Sequence, residues 1–271
     1  MKKLVYVLFV FVAGYAFLYW NNHWLVVTEE TISSERIPQA FDGYRIVQIS
    51  DLHDATFGDK QSKLIEKVRA TDPDVIFITG DLIDKNRYDL QNSLHAVEGL
   101  VQIADVYYVL GNHEVAINRV DEIYEALEKL GVHILPNTSQ EIERDGERLA
   151  IVGIEDPLAG LDVQQMLDKA TQTMTEDTFT LLLAHRPEDF AVYAQNPTDV
   201  VFSGHAHGGQ IRLPIIGGLF SPGQGLLPQY TAGKHVAEDT TLVISRGLGN
   251  STFPFRLFNL PEIVVVELVA K

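Results

Sequence analysis

Residues 200–210 read VVFSGHAHGGQ, an apolar segment that runs into a glycine, two histidines one residue apart, and two more glycines. An unbroken apolar run suits a strand covered on both faces, as in a sheet buried between layers. A lone histidine at its end would most often be a satisfied core residue. The pair His205 and His207 sits among Gly204, Ala206, Gly208 and Gly209, which leave room for something other than protein to approach. Neutral imidazole is the commonest metal ligand. The segment therefore reads as a buried strand that delivers two ligands to a site at its carboxyl end.

The same ending recurs along the chain. YRIVQIS (44–50) stops at Asp51-Leu52-His53, and DVIFITG (74–80) stops at Asp81. VYYVLG (106–111) stops at Asn112-His113-Glu114, and FTLLLAH (179–185) ends on His185. Further strand-like runs cover 24–32, 148–154, 241–247 and 262–269, while helical spacing marks 61–70, 119–130, 162–173 and 187–195. Strands alternating with helices define an α/β fold. Strands crowd together in the C-terminal third, which points to mixed rather than purely parallel sheets. In open α/β sheets, sites form at the carboxyl ends of strands. Five such ends carrying a carboxylate, a carboxamide or an imidazole predict one shared site.

The donor types select its chemistry. Without a single cysteine, thiolate metal sites, disulfides and a cysteine nucleophile are excluded. Carboxylates, imidazoles and one carboxamide fit Mn, Fe or Zn. One cation rarely uses eight side chains (Asp51, His53, Asp81, Asn112, His113, His185, His205, His207). The inventory suits two metals about 3.5–4 Å apart, sharing a carboxylate.

The formal charge of −16 argues against a large nucleic-acid partner, which needs a basic face. It also means that a phosphate-bearing substrate must be drawn in by local cations. The first residues carry a different signal. Lys2 and Lys3 precede LVYVLFVFVAGYAFLYW (4–20), and no charged residue follows before Glu29. This is close to the ~20 residues needed to span hydrocarbon, with Trp20 and Trp24 suited to the interface. Gly14 and Ala16 offer a cleavage site, but the apolar run continues through Phe17–Trp20, so an uncleaved anchor over 1–23 is the better reading. A single-pass protein of the cell membrane with its body outside the cytoplasm follows.

In this order, D-x-H (51–53), G-D (80–81), G-N-H-E (111–114), a single His (185) and G-H-A-H (204–207) closely resemble the calcineurin-like metallophosphoesterase superfamily. GGQIRLP (208–214), SRGLGNS (245–251) and FNLPEIV (258–264), with the anchor, look like its bacterial membrane-anchored branch. That branch includes phosphodiesterases and hydrolases of UDP-diacylglucosamine. The resemblance implies a four-layer αββα sandwich of two mixed sheets flanked by helices, with one phosphoesterase domain over 24–271. It implies two divalent ions, Mn favoured: Asp51, His53 and His207 on the first, Asp81 bridging, and Asn112, His185 and His205 on the second. His113 resembles the family's proton donor or phosphate-binding imidazole, and Asp84 the carboxylate that orients it. Lys85 stands where some phosphatases of the family carry a phosphate-gripping Arg, and Asp54 adds a carboxylate after D-L-H.

The implied activity is phosphoester hydrolysis by a metal-bridging hydroxide, foremost as a phosphodiesterase on a membrane or envelope substrate, including a lipid-linked one. The alternatives are a UDP-diacylglucosamine-type pyrophosphate hydrolase or a phosphomonoesterase. A non-catalytic scaffold typically loses ligands or the proton-donor histidine, and here all are present. Residues 208–230 read either as a surface loop packed over the sheet or as a groove for an apolar substrate that touches the membrane. Arg212, Arg246 and Arg256 are candidate phosphate contacts. His23, His95 and His133 read as structural, and His235 as a loop residue with a lesser claim on substrate.

Overall fold

The computed structural model describes residues 2–175, 177–251 and 253–271. The apolar runs become two six-stranded sheets. In chain order the strands are β1 (Val26–Ser34), β2 (Arg45–Ile49), β3 (Val75–Thr79), β4 (Asp105–Val109), β5 (His133–Ile134), β6 (Thr138–Arg144), β7 (Glu147–Gly153), β8 (Phe179–Leu183) and β9 (Val200–Ser203). Four two-residue strands follow: β10 (Arg212–Leu213), β11 (Gly217–Gly218), β12 (Phe220–Ser221) and β13 (Gly225–Leu226). The last are β14 (Gly233–Ala237), β15 (Thr240–Ile244) and β16 (Glu262–Ala270). The first sheet has the order β1-β16-β2-β3-β4-β5 and the second β14-β15-β9-β8-β7-β6. Both are mixed. β2 through β5 run parallel while β16 is antiparallel to β2, and β7, β8, β9 and β15 run parallel between antiparallel β6 and β14.

The inner faces of the two sheets share one core, in which Ile46, Phe77, Tyr107 and Val266 meet Leu149, Leu181, Phe202 and Val243. Helices cover the outer faces. Against the first sheet pack α2 (Ser62–Arg69), α3 (Leu90–Leu100) and α5 (Val120–Lys129), through Leu64, Val97 and Leu127. Against the second pack α6 (Val163–Thr171) and α7 (Phe190–Tyr193), through Leu167 and Phe190. This is the αββα sandwich. Short helix α4 (Asn112–Ala116) follows β4 directly.

Preceding the body, α1 (Lys2–His23) is long and apolar enough to cross a membrane by length and composition, and nearly all of it is exposed. Its last turns are tied down. Asn21 Oδ1 accepts the Phe258 N–H at 2.8 Å, and Asn22 Oδ1 accepts the Arg256 N–H at 2.9 Å. Strand β1 begins three residues later and runs beside the C-terminal strand β16.

Buried polar groups stitch the sheets together beneath the strand ends. The Gln48 amide, fully buried between them, donates to Thr79 Oγ1 and to the Ser203 carbonyl, each at 2.9 Å. β2, β3 and β9 are thereby locked in one relative position, and with them the three loops that carry Asp51, Asp81 and His205.

Candidate metal centre

Each loop leaves its strand through a sharp reversal. Asp51, His53, Asp81, His205 and His207 all adopt positive φ, between 48° and 61°. Left-handed backbone costs an L-residue roughly 1–2 kcal/mol, and such strain gathers at functional sites. Glycine would relieve it but would remove the side chain. Gly80 does use its freedom: at φ +91°, a Cβ there would lie 2.6 Å from His185 Nδ1 and 2.8 Å from Gly111 Cα. Gly80→Ala is expected to destabilise the fold by about 2–4 kcal/mol, from left-handed strain plus overpacking. A thermal melt unchanged from the parent would refute that packing argument.

The side chains converge in three groups, of which two share Asp81 and the third joins His53, Asp84 and His113. In the first, donor atoms of Asp51, His53, Asp81 and His207 lie within 4.8 Å of one another. His53 Nε2 is 3.1 Å from His207 Nε2 and 3.5 Å from Asp81 Oδ2, while His207 Nε2 is 3.4 Å from Asp51 Oδ1. In the second, Asp81, His185 and His205 meet. His185 Nε2 lies 3.4 Å from the same Asp81 Oδ2 and 3.2 Å from His205 Nδ1. The other oxygen of Asp81 accepts the His113 N–H at 2.8 Å, so Oδ2 alone faces both groups.

The opposite ring nitrogens, His53 Nδ1, His207 Nδ1 and His205 Nε2, are buried without a hydrogen bond, as is Asn112 Oδ1. Burial holds His53 down to about 3 and His205 and His207 well below the ordinary histidine range. Neutral rings then face one another nitrogen to nitrogen, an arrangement that satisfies a cation better than it satisfies itself. The charge balance agrees. Burial pushes Asp51 up to about 6. Burial also opposes charge on Asp81, yet His185 and His53 beside it hold it well below the carboxylate range. Burial works against charge on His185 too, but contact with Asp81 carries its pKa up to about 10. Its Nδ1 is 2.8 Å from the Thr79 carbonyl, which leaves Nε2 for the centre. The donor set fits divalent metals.

His113 stands beside this cluster, its ring 4.4 Å from that of His53. Its Nδ1 accepts the Lys85 backbone N–H at 3.1 Å. The neutral ring therefore carries its proton on Nε2, which is 3.2 Å from Ser251 Oγ. Burial lowers its pKa and favours that neutral form.

The orienting role expected of Asp84 takes another form. Asp84 Oδ1 is 3.8 Å from His113 Nδ1, too far for a hydrogen bond. Its carboxylate instead binds the Asn86 N–H and the Arg87 guanidinium. The ring is fixed by the backbone that Asp84 shapes. Asp54 turns away from the cluster altogether: its oxygens accept from Asp84 N, Asp89 N and Ser93 Oγ. It braces the 84–93 loop.

Two contributors have no counterpart in the sequence reading. Glu114, fully buried, accepts the N–H groups of Asp81, Leu82, Ile83 and Gly111 at 2.7–3.2 Å and clamps the loops after β3 and β4 together. Its place in G-N-H-E was the available signal. Glu188 Oε1 lies 3.6 Å from His205 Nε2, and it follows a strand end by a distance that no motif marks. Among the arginines, Arg256 is buried and spends its guanidinium on the Gly249 and Arg246 carbonyls. Arg246 pairs with Glu262, and Arg212 binds the Gly208 carbonyl and Thr231. His235 lies on β14 against Tyr230, and His133 stacks on Tyr107.

Residues 44–209 match the calcineurin-like phosphoesterase family. The chain belongs to that family. It is accordingly a metallophosphoesterase, a hydrolase of phosphoric ester bonds. The uncharacterized metallophosphoesterase YkuE of Bacillus subtilis is 31% identical over 94% of this chain and 89% of its own length. The phosphodiesterase YaeI of Escherichia coli is 28% identical, covering 83% of this chain and 82% of its own. A Danio rerio protein described as a transmembrane protein with metallophosphoesterase domain is 29% identical over 89% of this chain and 57% of its own. In a metallophosphoesterase, the buried Asp/His cluster at the strand ends is the part compatible with a metal site.

Proposed function

We propose that this metallophosphoesterase is a membrane-anchored phosphodiesterase whose substrate carries an apolar leaving group. The observation that carries the reading is a cavity of about 360 Å³ beside the cluster, lined by Ile211, Leu219, Phe220, Leu226 and Phe253. Ser251, on its wall, touches His113 Nε2. An apolar group held there would place its ester oxygen toward the wall where Ser251 meets His113, a side chain prepared to protonate it. Residues 1–23 are the anchor and 24–271 the catalytic domain in this reading, with the body outside the cytoplasm.

Asp51, His53 and His207 would hold one divalent ion, His185, His205 and Asn112 a second, with Asp81 between them. Bound there, two such ions supply charge for the phosphoryl oxygens and an activated water. The protein's own groups do the rest. Asp81 keeps its shared oxygen in place through the His113 N–H, and Glu114 keeps both loops from shifting. His113, its proton held on Nε2 by the Lys85 amide, donates to the leaving oxygen. No serine or cysteine nucleophile is required, so no phosphoenzyme forms.

Preference for a diester follows from the charges nearby. Among the described residues, Arg87 and Arg186 next to the site pair with Asp84 and with Asp156 and Glu188, and Arg256 binds carbonyls. Lys85 is exposed. Little cationic charge is left for the second negative charge of a monoester. A lipid-linked pyrophosphate, as in UDP-diacylglucosamine, is the second reading, and the same apolar cavity favours it.

The test uses the full chain in detergent with an aryl phosphodiester and the matching monoester. Stripping metal with a chelator is expected to cut diester turnover on the order of 100-fold or more, and Mn²⁺ to restore it. Turnover indifferent to the chelator, or a monoester preferred throughout, would sink the reading.

A further inference from the structure

The 208–230 segment contains no Asp, Glu or Lys in a chain with 37 acidic residues, and its one arginine points inward. It folds as two small hairpins, β10–β11 and β12–β13. The tip of the first exposes Ile215 (107%) and Ile216 (59%), and the open end of the second exposes Leu226 (81%) and Leu227 (67%). Ile215 also holds φ +73°, an unfavourable backbone for a β-branched residue that touches little protein. Scattered surface leucines need no explanation, but a contiguous patch of this kind marks an interaction surface.

Position relative to α1 says what covers it. The hairpins are attached to the 250–258 loop: Ile211 bridges Leu257, and the Arg212 N–H donates to the Leu257 carbonyl at 3.0 Å. The second hairpin hangs from the first through Leu219 N–H to Ile211 O and Leu227 N–H to Leu219 O, both 2.9 Å. The 250–258 loop is in turn clamped on α1 by Asn21 and Asn22, the latter also accepting from Asn250 Nδ2 at 2.8 Å. Phe258, half exposed, lays its ring 5.4 Å from that of Phe17. Phe17 precedes the end of the helix by six residues, about 9 Å at 1.5 Å per residue. Phe258 is thus level with the apolar stretch of the helix. On another side of the helix end, Trp24 shares a cleft with Lys63 and Lys67, with Glu66 between them. Indole and ammonium groups at that level suit phospholipid headgroups.

We propose that the tip of the first hairpin, the open end of the second and the 253–258 loop enter the lipid leaflet at the carboxyl end of α1, so that the body rests on the bilayer and the apolar cavity opens into lipid. The inference rests on the reading of α1 as a membrane anchor. Phe220, Leu226 and Phe253, which line the cavity, are themselves exposed on this face. An apolar leaving group could then pass from the leaflet to Ser251 and His113 without crossing water.

The absence of cysteine makes the test clean. Ile215→Cys, Leu227→Cys and, as a reference on the distant β6–β7 turn, Asp145→Cys are each labelled with an NBD fluorophore. The labelled full chain is reconstituted in phosphatidylcholine/phosphatidylglycerol vesicles with and without doxyl lipids. Quenching by doxyl lipids several-fold stronger at 215 and 227 than at 145 is the expected result. Equal, weak quenching at all three sites overturns the proposal, as does a blue-shifted 215 or 227 signal that doxyl lipids fail to quench, the mark of a second copy covering the patch. Failure of the protein to float with the vesicles would fell the anchor reading and this inference with it. A further arm uses the double variant Ile215→Asp, Leu227→Asp. It should lose turnover of a vesicle-borne diester several-fold more than of a soluble aryl diester; equal losses would overturn the opening of the cavity into lipid.

Discussion

Asp81→Asn is expected to lose bound metal and turnover together, the largest effect of any single change in the site. The substitution is nearly isosteric, and the amide oxygen can keep the 2.8 Å bond from the His113 N–H, so the loop after β3 stays folded. What changes is the atom between the two groups of donors. Asp81 Oδ2, 3.5 Å from His53 Nε2 and 3.4 Å from His185 Nε2, becomes an NH₂ aimed at two imidazoles. A donor now stands where a shared anion stood, and it repels cations from both positions at once. Loss of even an outer partner of a metal ligand costs 10–100-fold in affinity; removing the shared carboxylate should exceed about 100-fold. Metal content per chain, measured by mass spectrometry after dialysis, and turnover at saturating Mn²⁺ give the two readings. A variant that keeps full metal content and loses activity alone would remove Asp81 from the bridging position. The variant should still melt cooperatively, since Glu114 continues to hold the backbone of residues 81–83.

How much of this site was visible in the sequence depended on how each residue is positioned. The strands β2, β3, β4, β8 and β9 are near-continuous apolar runs, covered on both faces, and each is followed within a few residues by an Asp, Asn or His that marked its end. Asp51, His53, Asp81, His185, His205 and His207, which the structure brings together, were legible for that reason. Direction was not. Asp54 follows His53 in sequence, but its own left-handed φ of 54° sends the carboxylate to the 84–93 loop. Arg256 reads as a loop cation among phenylalanines, whereas burial makes it a structural donor to carbonyls. Ser251 meets His113 across 138 residues, which no spacing rule could reveal. The missed elements share a cause. β6 (Thr138–Arg144) is an exposed edge with Ile142 as its only large apolar residue, so neither alternation nor an apolar run betrays it. β14 at the opposite edge is equally polar, and α3 sits in a segment where Asp89, its N-cap, was the plainest sign.

His113→Ala tests the other half of the mechanism, and its expected signature is the inverse of the first: metal retained, turnover lost. Neither of the two groups that share Asp81 uses the His113 ring; only its backbone N–H braces Asp81, and alanine keeps that bond. General acid catalysis by a positioned side chain contributes roughly 10²–10⁴-fold, and a loss in that range is expected for diesters with alkyl leaving groups. The tautomer makes a sharper demand. With Lys85 N–H occupying Nδ1, the ring can only donate through Nε2, so its service is to the oxygen that departs. An aryl leaving group of low pKa departs as its anion and needs little help. The loss in His113→Ala should therefore shrink as the leaving-group pKa falls, becoming small for p-nitrophenyl esters. If the ring instead gripped a non-leaving phosphoryl oxygen, the loss would be the same for every leaving group. A series of diesters that differ only in that group separates proton donation from phosphate binding. Equal metal loss in the His113 and Asp81 variants would erase the division of roles between the two residues.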